Sequence, residues 1–202
     1  HDQTRRQRQM CIRDRLEDLT IIDLTDERGI YGAKLLSDLG ANVIRPEPRD
    51  GDPLRKRGPL HETKDPDLAS LWYAFFASNR RFFSLSLEDE NECQALRRQI
   101  SRADIILRCD NHFTEPVIDI DTLIQENPNL VLIDVSSFGK AGPWKDYLAP
   151  DLIAGALGGS AATTGDFDTP PLKGFGELNF MVSGAYLAIA ALSALYDRGE
   201  SG

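Results

Sequence analysis

The chain has 202 residues, of which 41% are hydrophobic and 27% are charged, a composition typical of a soluble globular domain with one core. Its formal net charge of −9 argues against nucleic acid as the main partner, because neutralising phosphates needs a basic face. No apolar run approaches a membrane span, and the 3 cysteines lack CxxC or metal-ligand spacing. We therefore expect a cytoplasmic protein without a membrane segment or a structural metal.

Residues 1–15 differ in character from the rest of the chain. They read HDQTRRQRQMCIRDR, rich in arginine and almost without apolar side chains. Asp2, Asp14 and the missing amphipathic pattern argue against a transit peptide. We expect a non-native or disordered tail that does not pack on the domain, and we assign residues 16–202 to an α/β domain that is incomplete at its carboxyl end.

The clearest local pattern is a strand–loop–helix–strand unit near the start of this domain. Residues 21–24 form a short apolar strand, residues 25–29 interrupt it, and apolar side chains recur at helical spacing over 33–39. Gly40 ends the helix, and a second strand begins at Val43. The unit predicts two parallel strands with the first loop at the carboxyl edge, where α/β proteins bind ligands. No GxGxxG follows the first strand, so a dinucleotide fingerprint is not predicted.

Strands and helices continue to alternate through the middle of the chain. Residues 46–67 are rich in proline and charge, which predicts a long surface loop. An aromatic helix over 68–78 is expected to pack on the sheet. The pattern then predicts a strand at 83–87, an amphipathic helix at 88–101 and a strand at 105–107.

The next segment predicts a further strand and a binding loop. A short helix at 121–126 precedes the continuous apolar strand 130–135, which is typical of parallel sheets. The Gly/Pro loop 136–144 follows that strand at the carboxyl edge and is a candidate binding loop. Pro150 and Asp151 open another helix, and we assign Asp151 a capping or first-turn role rather than catalysis.

Small residues near the end indicate close packing. Gly155, Gly158 and Gly159 suggest the close approach of another backbone, and residues 184–196 predict an alanine-rich helix packed on nearly all sides. Cys109 follows a buried strand and is interpreted as a small apolar filler rather than a nucleophile. Together the elements predict a Rossmann-like, doubly wound, mainly parallel sheet with helices on both faces.

Several segments, in order and at close to the same spacing, resemble one known family. They are DLT, LLSDLGANVIRPE, SNRRFFSLSLED, ADIIL, NPNLVLIDVSSFGKAGPW, PDLIAGALGGSAATTG and GAYLAIAALSALYDR. The chain resembles the class III coenzyme A transferases of the CaiB/BaiF type, which include formyl-CoA and carnitine-CoA transferases and α-methylacyl-CoA racemases. The resemblance covers nearly everything after Leu16.

The resemblance implies an aspartate nucleophile that this chain lacks. In the transferases that aspartate lies four positions before the GxY of the alanine-rich helix, and here the position is Phe180. Glu177 is the nearest acidic candidate, and it would need a one-turn slip to take that place. The racemase chemistry would need a histidine at Pro150 and an acid at Phe180. The catalytic residue is therefore not found in this chain.

Coenzyme A contacts transfer by motif position. The resemblance implies cofactor-binding residues after the first strand, at the N-[KR] step and after the fifth strand: Thr25, Glu27, Arg28, Asn79, Arg80, Ser136, Ser137 and Phe138. Local positive charge could come from Arg28, Arg45, Arg49, Arg80 or Arg81, although surface pairing of Arg28 and Arg80 with nearby carboxylates is an equal alternative. Cys109 and Asp110 depart from the family's usual Asn-Phe.

The resemblance also implies the context of the whole protein. The expected substrates are coenzyme A or acyl-CoA and a small carboxylic acid, with no permanently bound cofactor, and the full-length protein is expected to be an interlocked homodimer. The chain stops after YDRGESG, so we expect the amino-terminal half of a longer protein, with exposed apolar surface.

Three functions stay open at this point. The first is a CoA-transferase of family III, in a branch without the usual aspartate. The second is a catalytically silent CoA-binding partner subunit, or one half of a fused transferase. The third is an ordinary nucleotide-binding oxidoreductase, against which the missing GxGxxG speaks.

Overall fold

Five parallel strands form one sheet, which confirms the predicted topology. The computed structural model describes residues 15–62, 70–110 and 112–201. The strands are β1 (Thr20–Leu24), β2 (Asn42–Pro48), β3 (Arg81–Leu85), β4 (Ile105–Cys109) and β5 (Val131–Val135). Their order is β3-β2-β1-β4-β5, and all four pairings are parallel. Of the predicted tail 1–15, residues 1–14 lie outside the described residues.

Helices cover both faces of this sheet, as predicted. They are α1 (Ile30–Asp38), α2 (Leu71–Phe76), α3 (Glu90–Ile100), α4 (Ile120–Glu126), α5 (Asp151–Leu157) and α6 (Leu178–Ser201). Because successive strand residues point to opposite faces, Ile21 packs with α1 and α6, whereas Ile22 packs with α3 and α4. The core is therefore two apolar layers separated by the sheet.

The predicted loop 46–67 begins too early, because β2 continues through Pro48. Prolines lack the N–H that a central strand needs. The β1 pairing stops at Ile44, and beyond it β2 pairs with β3 through Pro48, so Pro46 and Pro48 lie in an edge-like part of the strand.

The aromatic helix is shorter than predicted. Its expected first turn includes residues 68 and 69, which lie outside the described residues. Ser70 caps the helix, since its hydroxyl accepts from the backbone N–H of Tyr73 at 2.9 Å. Asn79 follows with a left-handed φ of 60°. Of the aromatics, Tyr73 is buried beside Ile30, whereas Phe75 is exposed.

The prediction that the last helix packs on nearly all sides is wrong. Leu187, Ala188 and Ala191 are buried against the sheet layer, but Tyr186 and Tyr196 on the same helix are largely exposed. By length and composition alone, residues 178–199 of this helix could span a membrane, a property shared by core helices of soluble proteins. Here one face of the helix packs on α1 and β5.

The close backbone approach occurs at a different pair of glycines from those predicted. A Cβ on Gly32 of α1 would lie 2.3 Å from the carbonyl oxygen of Gly184 in α6, and a Cβ on Gly184 would lie 2.7 Å from the Gly32 nitrogen. By contrast, a Cβ on Gly155 meets side chains, and Gly159 faces open space with a φ of +84°. Gly159 ends α5, a position where the left-handed conformation favours glycine.

Replacing Gly32 by alanine is expected to destabilise the protein by about 1–3 kcal/mol, because the added methyl group has no room beside Gly184. Gly199→Ala in α6 is the matched control. Its Cβ would meet no atom within 4 Å, so the change should stabilise by up to about 1 kcal/mol through helix propensity. Urea unfolding measures both; equal effects would contradict the close crossing.

Candidate functional site

A cleft of about 900 Å³ lies at the carboxyl edge of the sheet. This is where parallel α/β folds place ligands. Its lining comes from five parts of the chain: residues 24–28 at the end of β1, residues within 45–57, four residues at and after the end of β4 (Cys109, Asp110, His112 and Phe113), Ser137 with the segment 145–151, and Glu177 with Phe180. The ends of strands β1, β2 and β4 therefore converge on one concave surface.

The structure brings together part of the predicted site. Thr25, Glu27, Arg28 and Ser137 line the cleft, as do Phe180 and Glu177. The other predicted contacts are not among the described residues that line the cleft. They are Asn79, Arg80, Ser136 and Phe138.

A buried ion cluster lies beneath the cleft and involves one predicted contact, Arg80. The Asp23 carboxylate, fully buried at the end of β1, pairs with Arg80 and lies 3.0 Å from Arg45 Nη1. Arg45 also contacts Asp52 at 2.6 Å. Burial alone would raise the pKa of Asp23, but Arg80 and Arg45 outweigh it and hold that pKa below its ordinary value.

Arg80 is committed to this interior. Its Nη2 donates to the carbonyl oxygens of Ile30 at 2.6 Å and Phe76 at 2.7 Å, while Nη1 binds Asp23. Its neighbour Asn79 is exposed and donates to Asp38 at 2.7 Å. The N-[KR] step therefore ties α1, α2 and β1 together. The alternative of surface pairing is wrong for Arg80, because its carboxylate partner Asp23 lies in the protein interior.

Arg28 lies at the cleft with its charge already compensated. Its Nη2 is 2.6 Å from Asp26 Oδ2, and its Nη1 lies 3.0 Å from Asp110 Oδ2 and 3.1 Å from Ser137 Oγ. Burial alone would lower the pKa of Arg28, but the bonds to Asp26 raise it above its ordinary value. A ligand phosphate at Arg28 would therefore have to displace a carboxylate.

The loop after β5 is organised by its own residues. Ser136 Oγ accepts from the backbone N–H of Gly139 at 2.9 Å, and the Phe138 ring packs edge-on against Trp144 and Tyr147. Ser137 is the member of the predicted trio that reaches the cleft, through Arg28.

Asp151 fixes the start of α6 within the cleft wall. Pro150 is the N-cap of α5 and Asp151 its first-turn acid, as predicted. The buried carboxylate also accepts from the backbone N–H of Phe180 at 3.0 Å and from Asn179 Nδ2 at 3.1 Å. From the first turn of α5, Asp151 thus caps α6, and it holds the Phe180 backbone at a fixed place.

Phe180 is only 8% exposed, and it offers an aromatic ring where the resembled transferases carry a carboxylate. Glu177 lies just before α6 and pairs with Arg57, whose guanidinium also lies 3.4 Å from Glu27. Arg57 was not predicted from the sequence, because it lies in a charge-rich loop without a period.

A buried thiol and a partly buried imidazole also border the cleft. Cys109 is 1% exposed, and burial raises its pKa, consistent with a filler rather than a nucleophile. Burial lowers the pKa of His112 to about 4, and its Nδ1 lies 2.8 Å from Thr114 Oγ1. His112 is therefore neutral at physiological pH. No group of His, Cys, Asp and Glu within the described residues is arranged to hold a metal.

The fold and the cleft define a Rossmann-like α/β protein with a ligand-sized cleft at the carboxyl edge of its sheet. The pattern of CoA-transferase family III matches residues 16–202, so the chain belongs to that family. It is 31% identical over 184 residues to succinyl-CoA:(R)-benzylsuccinate CoA-transferase subunit BbsE of Thauera aromatica, covering 90% of this chain and 45% of the relative. It is also 31% identical over 193 residues to formyl-CoA:oxalate CoA-transferase of Streptomyces coelicolor, covering 93% and 45%.

Solved structures agree with this assignment. A CaiB/BaiF family protein from Brucella suis superimposes with a TM-score of 0.82 and 26% identity, covering 93% of this chain and 50% of that chain. Rv3272 from Mycobacterium tuberculosis gives 0.78 and 25%, covering 93% and 52%. The chain thus spans about half the length of these relatives and structures.

Replacing Asp23 by asparagine is expected to destabilise the protein by about 3–5 kcal/mol, because Arg45 and Arg80 would keep buried charge without their shared partner. The control is Asp38→Asn, which removes an exposed i,i+4 pair with Lys34 and should cost about 0.5 kcal/mol. Urea unfolding at neutral pH measures both. Similar small losses would show that the cluster contributes little.

Stability should fall as the pH drops from 7 to 5, partly through His112. Its folded-state pKa of about 4 lies below the ordinary 6.5, so the unfolded chain binds a proton that the folded chain does not. The contribution is about 2 kcal/mol over this interval. His112→Asn should flatten the pH profile of the unfolding free energy, whereas His61→Asn, at an exposed residue, should not. Parallel profiles for all three proteins would contradict a partly buried imidazole that is neutral in the folded protein.

Proposed function

We propose that this chain binds an acyl-CoA at the carboxyl-edge cleft and serves the transfer of coenzyme A between an acyl-CoA and a carboxylic acid. Family III membership over residues 16–202, with a cleft of about 900 Å³ at the ligand-binding edge, carries this proposal. The names of the relatives support it, since they act between acyl-CoA donors and acids such as benzylsuccinate, oxalate and D-citramalate.

The proposed binding set follows the cleft walls. Thr25, Glu27 and Arg28 after β1 would contact the nucleotide part, and Ser137 would lie near the pantetheine arm. Ser136 and Phe138 would act through the shape of their loop. Asn79 would act at most from the exposed surface, and Arg80 would support the floor of the cleft rather than touch the ligand.

The chemistry of transfer needs a nucleophile that Phe180 cannot supply. In the resembled enzymes an aspartate attacks the thioester carbonyl, expels the CoA thiolate and forms a mixed anhydride. The thiolate then attacks the aspartyl carbonyl, releases the first acid and leaves an enzyme-bound CoA thioester. An aromatic ring has no lone pair for the first attack. We therefore propose that this chain binds acyl-CoA without forming that thioester.

A second candidate function is a catalytically silent partner subunit of a heteromeric transferase, or half of a fused one. Two observations favour it: Phe180 at the nucleophile position, and a relative whose name describes a subunit. We further propose a cytoplasmic protein. For the whole protein we propose an interlocked homodimer. The exposed side chains of Tyr186 and Tyr196 on α6 would suit such an interface.

Substituting Phe180 by aspartate in the full-length protein tests this assignment. The unmodified protein should bind CoA but acquire no covalent label from acyl-CoA, whereas Phe180→Asp should form a hydroxylamine-sensitive CoA adduct detectable by mass spectrometry. Phe180→Asn is the matched control, because asparagine has nearly the same size and polarity as aspartate but no nucleophilic carboxylate.

The outcome also tests the cleft, the register of α6 and the binding of CoA that both candidates share. A labelled Phe180→Asp variant supports a cleft that admits the thioester. Labelling of unmodified protein at Glu177 would contradict the proposed register and identify the glutamate as the nucleophile. Failure of CoA to bind to the unmodified protein would sink both candidates.

A further inference from the structure

Arg57 presents its guanidinium to the cleft between two glutamates. Nη1 lies 3.4 Å from Glu27 Oε1, and Nη2 donates to Glu177 Oε1. Its Cζ lies over the Trp72 ring, 4.9 Å from the centroid. The aromatic ring steadies the guanidinium from one side, while both terminal nitrogens face carboxylate oxygens. The site is therefore already shaped for a carboxylate.

The other cleft arginines are less able to exchange their partners. The Arg45 side chain is 3% exposed between Asp23 and Asp52, and breaking a pair at that depth leaves a buried charge. The Arg28 side chain is 14% exposed and is held by Asp26. Arg57 is 31% exposed, and partly exposed ion pairs contribute little stability. An incoming carboxylate can thus replace Glu177 at Arg57 with a smaller loss of stability than replacing the partners of Arg28 or Arg45.

We propose that Arg57 is the specificity residue of the cleft and binds the non-reacting carboxylate of a dicarboxylic substrate, displacing Glu177. The proposal rests on the proposed function. Glu177 precedes Phe180 by three residues, about 4.5 Å of rise along a helix. A carboxylate bound at Arg57 would therefore lie about one turn from the position that Phe180 marks, a spacing that suits a short dicarboxylic acid.

The bound carboxylate should be the non-reacting one. A guanidinium withdraws electron density from its partner, so it would weaken a carboxylate that must attack a thioester. A monocarboxylic acid has only the reacting group and gains nothing from Arg57. The residue would therefore discriminate dicarboxylic from monocarboxylic acids.

Calorimetric titration of the CoA-saturated, intact protein with succinate and with butyrate tests this, since both acids have four carbons. Succinate should bind more tightly. Arg57→Gln should weaken succinate about 10- to 100-fold and leave butyrate unchanged, and Arg57→Lys should restore part of the loss. Glu177→Gln should tighten succinate, because it removes the internal competitor.

Arg55→Gln is the matched control. Arg55 makes a similar pair with Glu47 at 2.9 Å and lies 4.6 Å from the Tyr73 ring, but the described cleft lining does not include it. Its loss should leave succinate binding unchanged.

Opposite signs for Arg57→Gln and Glu177→Gln are the signature of the proposal. If both variants weaken succinate, the pair is a structural cross-link and the proposal is overturned. A loss in Arg55→Gln equal to that in Arg57→Gln overturns it as well. If CoA binds but Arg57→Gln leaves the affinity for succinate unchanged, this inference alone fails. If CoA does not bind, the proposed function fails.

Discussion

The buried charge of Asp23 is the constraint on which the site depends. β1 ends with a carboxylate that water does not reach, so two arginines from other elements must neutralise it. Arg45 links β2 and, through Asp52, the turn after β2 to Asp23. Arg80 links the start of β3 and the end of α2 to the same carboxylate. One ion cluster thereby fixes the floor of the cleft across the neighbouring strands β3, β2 and β1.

That arrangement decides which charges remain for a ligand. Arg45 and Arg80 are basic residues near the site proposed to hold an anionic ligand, yet both are occupied in building the floor. Arg28 is held by two carboxylates. Among the cleft arginines, the charge that a substrate can reach with the least rearrangement is consequently that of Arg57, where the competing carboxylates come from partly exposed glutamates.

The sequence predicted the sheet because the order of strands and helices and the alternation of side chains are local signals. Ile21 and Ile22 needed only the period of two to be assigned to opposite faces. The extension of β2 through two prolines depended on a missing neighbour beyond Ile44, which is not encoded locally. The roles of Arg57 and Arg80 likewise depend on partners 30 to 120 positions away in the sequence. The motif therefore predicted Arg80 as a ligand contact, whereas in the structure Arg80 lies beneath the floor of the cleft.

The packing of α6 explains why Glu177 does not take the place of Phe180. A slip that carried Glu177 to that position would carry Met181 to the place of Gly184, where a Cβ would lie 2.7 Å from the Gly32 nitrogen. It would also bring Gly184 to the buried place of Leu187 and leave a cavity in the layer against the sheet. The register of the helix is thus locked by a glycine crossing at one turn and by Asp151 at its first turn. Within this packing the aromatic ring at position 180 is a fixed property of the site, and any nucleophile for transfer must come from another position or another chain.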